Sequence, residues 1–357
     1  MQLQSGKRVV YLGWLGHSNV GDELLFDVFN ERAADAFGPN VRVQAHVPDP
    51  AYRRSLDGVD AVVLGGGSLL GVGYYAPIVL EAKRRGLPIV SWGTGLDGLS
   101  LAGIKAVRSG GVPDWHRPID PEALRSVAQS VDVLGVRGPD TAAVLRSVGV
   151  EHARVVSDPG LLVRAGTPPV LPEGRPIVAI NAGTSRPVFG GEGALDSVSS
   201  ALAQAADDAV EKGLRPVLFA MWPEDLDACR EVRRRMRHWG QATVLEHVYD
   251  APAIAGLLAA SRWAIVVKLH AAVLCAAAGT PFIQLAYRSK GLELAQLLGL
   301  RGLTTPTSTP DLNGYITTAL QHVDDEREVI EARLAAAVSR AETSIEAWCS
   351  AVRSRTS

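Results

Sequence analysis

The chain has 357 residues, 47% of them apolar, with 36 Lys and Arg against 38 Asp and Glu and a formal charge of −2. That is enough apolar mass for two ordinary cores, and it excludes the basic field that would make nucleic acid the default partner. No opening segment reads as a secretion signal and no apolar run approaches the roughly 20 residues that span a bilayer, so a cytoplasmic protein without a transmembrane segment is expected. Cys229, Cys275 and Cys349 are too scattered for a disulfide frame or a zinc site, and reduced, buried thiols are expected.

In chain order, residues 7–13 form a first predicted strand. The glycine loop Trp14-Leu15-Gly16-His17-Ser18-Asn19-Val20-Gly21-Asp22-Glu23 follows, and then a helical pattern with Leu24, Leu25, Val28 and Phe29 on one side. Strand, glycine loop and helix open a mononucleotide-type βα unit. The loop has neither the Lys-Ser/Thr of a P-loop nor the glycine spacing of a dinucleotide fingerprint. Asn19 and Asp22 nevertheless bring hydrogen-bonding groups to a helix start. Residues 41–45 and 60–64 read as strands, the second feeding Gly65-Gly66-Gly67-Ser68, where the backbone either turns hard under a packed helix or admits a ligand to contact distance. A helix over 76–86 precedes a strand over 87–92 and the loop Gly93-Thr94-Gly95-Leu96-Asp97. Residues 98–120 lack clear periodicity and are expected to form a surface loop or lid. Next come a helix over 121–129, a strand over 131–136, a helix over 141–147 behind Arg137-Gly138-Pro139-Asp140, and an edge strand over 153–156. The proline-rich stretch 166–174 is the most linker-like in the chain.

The second half repeats this alternation. A strand over 177–181 leads into a glycine-rich binding loop that carries Arg186, and an Ala-rich helix extends to about residue 212. A strand over 216–220 is followed by Trp222-Pro223-Glu224-Asp225 and a basic helix over 224–238, whose Arg233-Arg234-Arg235 run reads as a solvated face. The run 264–267 then delivers Lys268 and His270 to the start of a small-residue helix over 271–278. A helix start offers free N–H groups and partial positive charge, so an anion is favoured there before any side chain contributes. Lys268 adds a charge and His270 a proton that moves near neutral pH. A strand over 282–285 ends in Tyr287-Arg288-Ser289-Lys290, a second cationic group. After Pro310 the chain is helical, with Leu334, Val338, Ala341, Ile345, Trp348 and Val352 on one face.

Alternating strands and helices with apolar strands predict parallel sheets covered on both faces, with ligands outside the strands' carboxyl ends. The fold class expected is α/β and GT-B-like: two Rossmann-like domains facing a central cleft, with a C-terminal crossing helix. The domains are placed at 1–165 (N-terminal, Rossmann-like), 175–310 (C-terminal, Rossmann-like) and a helical segment at 311–357 that packs back on the first.

The ordered set Asn19-Val20-Gly21-Asp22-Glu23, Gly65-Gly66-Gly67-Ser68, Gly135-Val136-Arg137, Ser157-Asp158-Pro159, Lys268-Leu269-His270-Ala271 and Gly279-Thr280-Pro281 through Tyr287 and Lys290 resembles the polysaccharide pyruvyl transferases over roughly residues 8 to 295. The resemblance implies transfer of pyruvate from phosphoenolpyruvate to sugar hydroxyls, usually as a ketal, with no metal and no cofactor beyond that co-substrate. The implied acceptor is a sugar, nucleotide sugar or lipid-linked glycan. One departure stands out: the family usually has Arg before Leu-His, and here the residue is Lys268, a point charge in place of a bidentate fork.

His270 is expected to be the general acid. Lys268, Arg186, Lys290, Tyr287 and, less directly, Arg137 are expected to contact the donor, and Asn19, Asp22, Gly66, Ser68 and Asp97 the acceptor; no metal ligands are expected. Asp22 or Asp97 would be the base, although capping a helix explains Asp22 equally well. Two other readings stay open: a nucleotide-sugar glycosyltransferase of the same architecture, and a non-catalytic glycan-binding member of the family. Homo-oligomerisation is also left open.

Overall fold

The computed structural model describes residues 6–46, 56–117, 119–172, 174–183, 189–191 and 193–356. They divide into two compact units: Met1–His17, Asp22–Pro159 and Arg340–Ser357 in the first, Ser18–Gly21 and Gly160–Ser339 in the second. Among the described residues no helix is long and apolar enough to cross a membrane.

The first unit is built on a six-stranded sheet. In chain order its elements are β1 (Arg8–Leu12), α1 (Val20–Phe37), β2 (Arg42–His46), β3 (Ala61–Leu64), α2 (Ala76–Arg84), β4 (Ile89–Thr94), α3 (Leu101–Arg108), α4 (Pro121–Ser130), β5 (Val133–Val136), α5 (Pro139–Ser147) and β6 (Arg154–Val155). Every pairing is parallel, in the order β2-β1-β3-β4-β5-β6. The central strands are uninterrupted apolar runs because both faces are covered: all four residues of β3 are fully buried.

The stretch expected to be a loop or lid at 98–120 contains the helix α3. Ser100 caps it, accepting from Gly103 N–H at 2.8 Å, and Ile104 and Val107 bury one side. Eight residues with only two buried side chains beyond glycine are too few to show a helical period in the sequence.

The second unit follows with β7 (Ile177–Asn181), α6 (Gly193–Glu211), β8 (Arg215–Phe219), α7 (Leu226–Arg235), β9 (Thr243–Val244), α8 (Ala251–Ala259), β10 (Ser261–Val266), α9 (Leu269–Ala277), β11 (Phe282–Ala286), α10 (Ser289–Leu298), β12 (Thr304–Pro306) and α11 (Leu312–Asp325). Its sheet is again parallel, in the order β12-β11-β10-β7-β8-β9. Counted within the unit, this is the dinucleotide-type Rossmann order, with the direction of winding reversing between β7 and β10. The linker-like stretch 166–174 belongs to this unit by contact, and Gly166 N–H donates to Pro252 O at 2.8 Å.

The last helix, α12 (Arg327–Thr356), contributes to the second unit up to Ser339 and to the first from Arg340. Of the predicted apolar face, Leu334, Ala341, Ile345, Trp348 and Val352 are buried; Val338 is only half-buried and its neighbour Ala337 takes the inward position. In the first unit the Trp348 indole meets Trp92 with ring centroids 4.8 Å apart. A Cβ at Gly135 on β5 would stand 2.9 Å from that indole, so glycine is what lets the helix lie against the strand.

Candidate active site

In α/β sheets of this kind the switch point between reversed strands leaves a crevice at the carboxyl ends, where ligands bind. In the second unit those ends belong to β7 and β10, and they carry Asn181 and Lys268. Asn181 is fully buried, and its side-chain oxygen accepts from Lys268 N–H at 2.9 Å and Val267 N–H at 3.4 Å. Lys268 has extended backbone (φ −73°, ψ 142°) and is the N-cap of α9, so the helix starts at Leu269, two residues earlier than expected. His270 therefore lies inside the first turn of α9, where backbone donors are unsatisfied by the helix itself.

The His270 imidazole is half-buried and rests against Gly21. A Cβ on Gly21 would overlap the ring at Nδ1, so only glycine is compatible with this pose. The segment carrying Gly21 is held in the second unit by Val20 N–H, which donates to Met221 O at 3.1 Å. Asn19, predicted as an acceptor contact, serves here as the cap of α1, accepting from Gly21 N–H at 3.1 Å.

Cations converge on one ring. Tyr287, at the end of β11, is 7% exposed, and its ring centroid lies 5.8 Å from Lys268 Nζ, 5.7 Å from Lys290 Nζ and 5.4 Å from the Arg288 guanidinium carbon. Such approaches favour a cation over an aromatic face. Arg288, part of the second cationic group in the sequence but not among the expected donor contacts, stands between two residues that are. Lys268 also approaches Trp222 (5.7 Å) and pairs at 3.0 Å with Asp225, a carboxylate with no exposure. Its charge is thus balanced within the site, a feature no local pattern revealed because Asp225 lies on a different βα loop. Arg186 falls outside the described residues. The loop that carries it resumes at Phe189, whose N–H donates to Tyr287 O at 3.2 Å and whose carbonyl accepts from Thr307 Oγ1 at 2.6 Å.

The remaining predicted residues lie in the first unit, whose winding reverses between β1 and β3. Gly66 N–H donates to Tyr11 Oη at 3.1 Å, and a Cβ on Gly66 would reach Leu25 of α1 at 2.7 Å, so Gly66 is explained by close packing of helix on strand. Gly67 (φ 92°) turns the chain, and a Cβ there would stand 3.1 Å from Asp22 Oδ1. Ser68 Oγ is buried without a hydrogen bond among the described residues. Asp97 Oδ1 accepts from Gly98 N–H at 2.9 Å. Arg137, expected less directly as a donor contact, is 2% exposed, and its guanidinium donates to Gly67 O at 3.2 Å and Leu96 O at 3.4 Å. Burial and these bonds make it a brace between the loops after β3 and β4.

Among the described residues no group of three or more His, Cys, Asp or Glu is placed to hold a metal ion. A sequence comparison with curated proteins returns no match. Solved structures resemble the chain in fold. MnaA of S. aureus, solved with UDP, has a TM-score of 0.58 at 12% identity, covering 92% of this chain and 90% of its own. The UDP-GlcNAc 2-epimerase of Neisseria meningitidis, bound to UDP-GlcNAc, has 0.57 at 9%, covering 92% and 93%. OtsA in its apo form has 0.55 at 12%, covering 98% and 99%. The architecture is accordingly GT-B-like. The polysaccharide pyruvyl transferase family matches residues 19–289, from the segment beside His270 to the start of α10 and across both units, and the chain belongs to that family.

Proposed function

We propose that the chain is a phosphoenolpyruvate-dependent pyruvyl transferase acting on the hydroxyls of a sugar or glycan precursor, with His270 as general acid. The observation that carries this reading is the imidazole in the first turn of α9, pinned by Gly21 in the same unit as the Lys268, Arg288 and Lys290 cations that surround Tyr287. Phosphoenolpyruvate needs cations for its phosphate and carboxylate and an acid at its methylene carbon.

In the proposed reaction His270 protonates the methylene to a methyl group, and a first acceptor hydroxyl adds to the resulting oxocarbenium-like carbon. A second hydroxyl then displaces phosphate from the same carbon. One of the two hydroxyl protons replaces the one His270 gave up, and the other leaves on phosphate, so donor and diol yield ketal and hydrogen phosphate. Lys268, Lys290, Tyr287 and Arg186 are proposed to hold the donor. Asp22, Ser68 and Asp97 are proposed to meet the acceptor, with Asp22 or Asp97 as base.

The test is incubation of purified protein with phosphoenolpyruvate and a panel of free sugars, lipid-linked sugars and UDP-sugars, the last included because two proteins of similar fold were solved with UDP ligands. Phosphate release together with a pyruvate ketal on an acceptor is expected. Cleavage of a UDP-sugar without consumption of phosphoenolpyruvate would replace this reading with glycosyl transfer.

A further inference from the structure

An Arg where Lys268 stands would carry its own planar fork; a Lys ammonium on four flexible carbons has to be oriented by something else. The second unit supplies that orientation. Asp225 ends a short 3-10 turn (Pro223–Asp225) directly before α7, the usual place for an acidic cap, yet its side chain makes no cap hydrogen bond. It is fully buried and faces Lys268, with Oδ1 at 3.0 Å from Nζ. The same short turn presents Trp222 to the ammonium at 5.7 Å, while Tyr287 approaches it at 5.8 Å. On the stem side, a Cβ on Gly183 would lie 2.5 Å from Lys268 Cε, so glycine makes room for this rotamer.

From this arrangement we propose that Asp225 is a positioning residue for the donor site: it fixes the Lys268 ammonium against the Trp222 and Tyr287 rings so that Lys268 presents a directed N–H to an anionic oxygen of phosphoenolpyruvate. An ammonium has three N–H donors, so pairing with a carboxylate is compatible with donating to an oxyanion at the same time. The pair also lowers the net charge of the site by one, which makes direction, rather than bulk attraction, the contribution of Lys268. This inference rests on the donor assigned above.

Two measurements test it. First, the acylation rate of Lys268 by acetic anhydride, followed by peptide mass spectrometry, should be among the slowest of the lysines in the native protein and should rise severalfold in Asp225→Asn. A Lys268 that reacts like a surface lysine, or at the same rate in the variant, would overturn the proposal. Second, Asp225→Asn should lower kcat/KM for phosphoenolpyruvate by about tenfold, a coupling of the size usual between contacting residues. It should have no further effect in a Lys268→Met background, and should cost less in a Lys268→Arg background. Equal losses in all three backgrounds would show that Asp225 acts on folding alone and would overturn the inference. If the parental protein does not consume phosphoenolpyruvate while Lys268 still responds to Asp225→Asn, the assigned function fails and the inference fails with it. Parental turnover with an unresponsive Lys268 removes this inference alone.

Discussion

Gly21 and His270 show how much of the site depends on a single missing methyl group. The sequence marks both segments as candidates, but nothing local connects the two residues, because the contact joins the first βα segment to the first turn of α9. Gly21→Ala should force the imidazole out of its pose. The expected result is a fall in phosphoenolpyruvate turnover of about 10²-fold or more, the range of a lost general acid, with the melting temperature as a control for folding. The thiols are a second case at this scale. Burial pushes Cys229 up to about 12 and Cys349 up to about 11, and Cys275 well above its ordinary value. Because these folded-state values lie above the unfolded value of about 8.5, the stability involved is fully present below that pH and drains away as pH rises toward 11 and 12. Iodoacetamide at pH 8 should leave all three cysteines unlabelled in native protein and label them in guanidinium; native labelling would show that the burial is wrong.

Elements were legible where their pattern was long. The apolar runs of β3, β4 and β10 and, except at Val338, the face of α12 are legible because many residues repeat one signal. Helix α3 was missed because it shows only two inward apolar positions, and the start of α9 was misplaced because Asn181, far away in sequence, sets the backbone at Lys268. Burial of polar residues is the hardest feature to read: nothing local in the sequence shows that the Arg137 guanidinium donates to the loops after β3 and β4. The end of α12 gives a prediction at this scale. Trp348 is 3% exposed and lies on Trp92 and Gly135, so Trp348→Ala should destabilise the first unit by about 3–5 kcal/mol through lost burial and the cavity left behind. Chemical denaturation followed by circular dichroism measures this, and a loss under 1 kcal/mol would contradict the packing described.

Across the whole molecule, composition and alternation sufficed for two parallel α/β sheets, whereas strand order was beyond the sequence because it depends on which strands pair at long range. In the second unit that order puts Asn181 and Lys268 side by side at the reversal between β7 and β10, with His270 in the turn that follows. The proposed donor chemistry at α9 rests on this placement together with membership of the family. The most direct measurement is phosphate release from phosphoenolpyruvate, in the presence of an accepted sugar, by the parental protein and by His270→Ala. The account predicts a fall in kcat of about 10²- to 10⁴-fold with phosphoenolpyruvate affinity nearly unchanged; a His270→Ala protein turning over at the parental rate would contradict it.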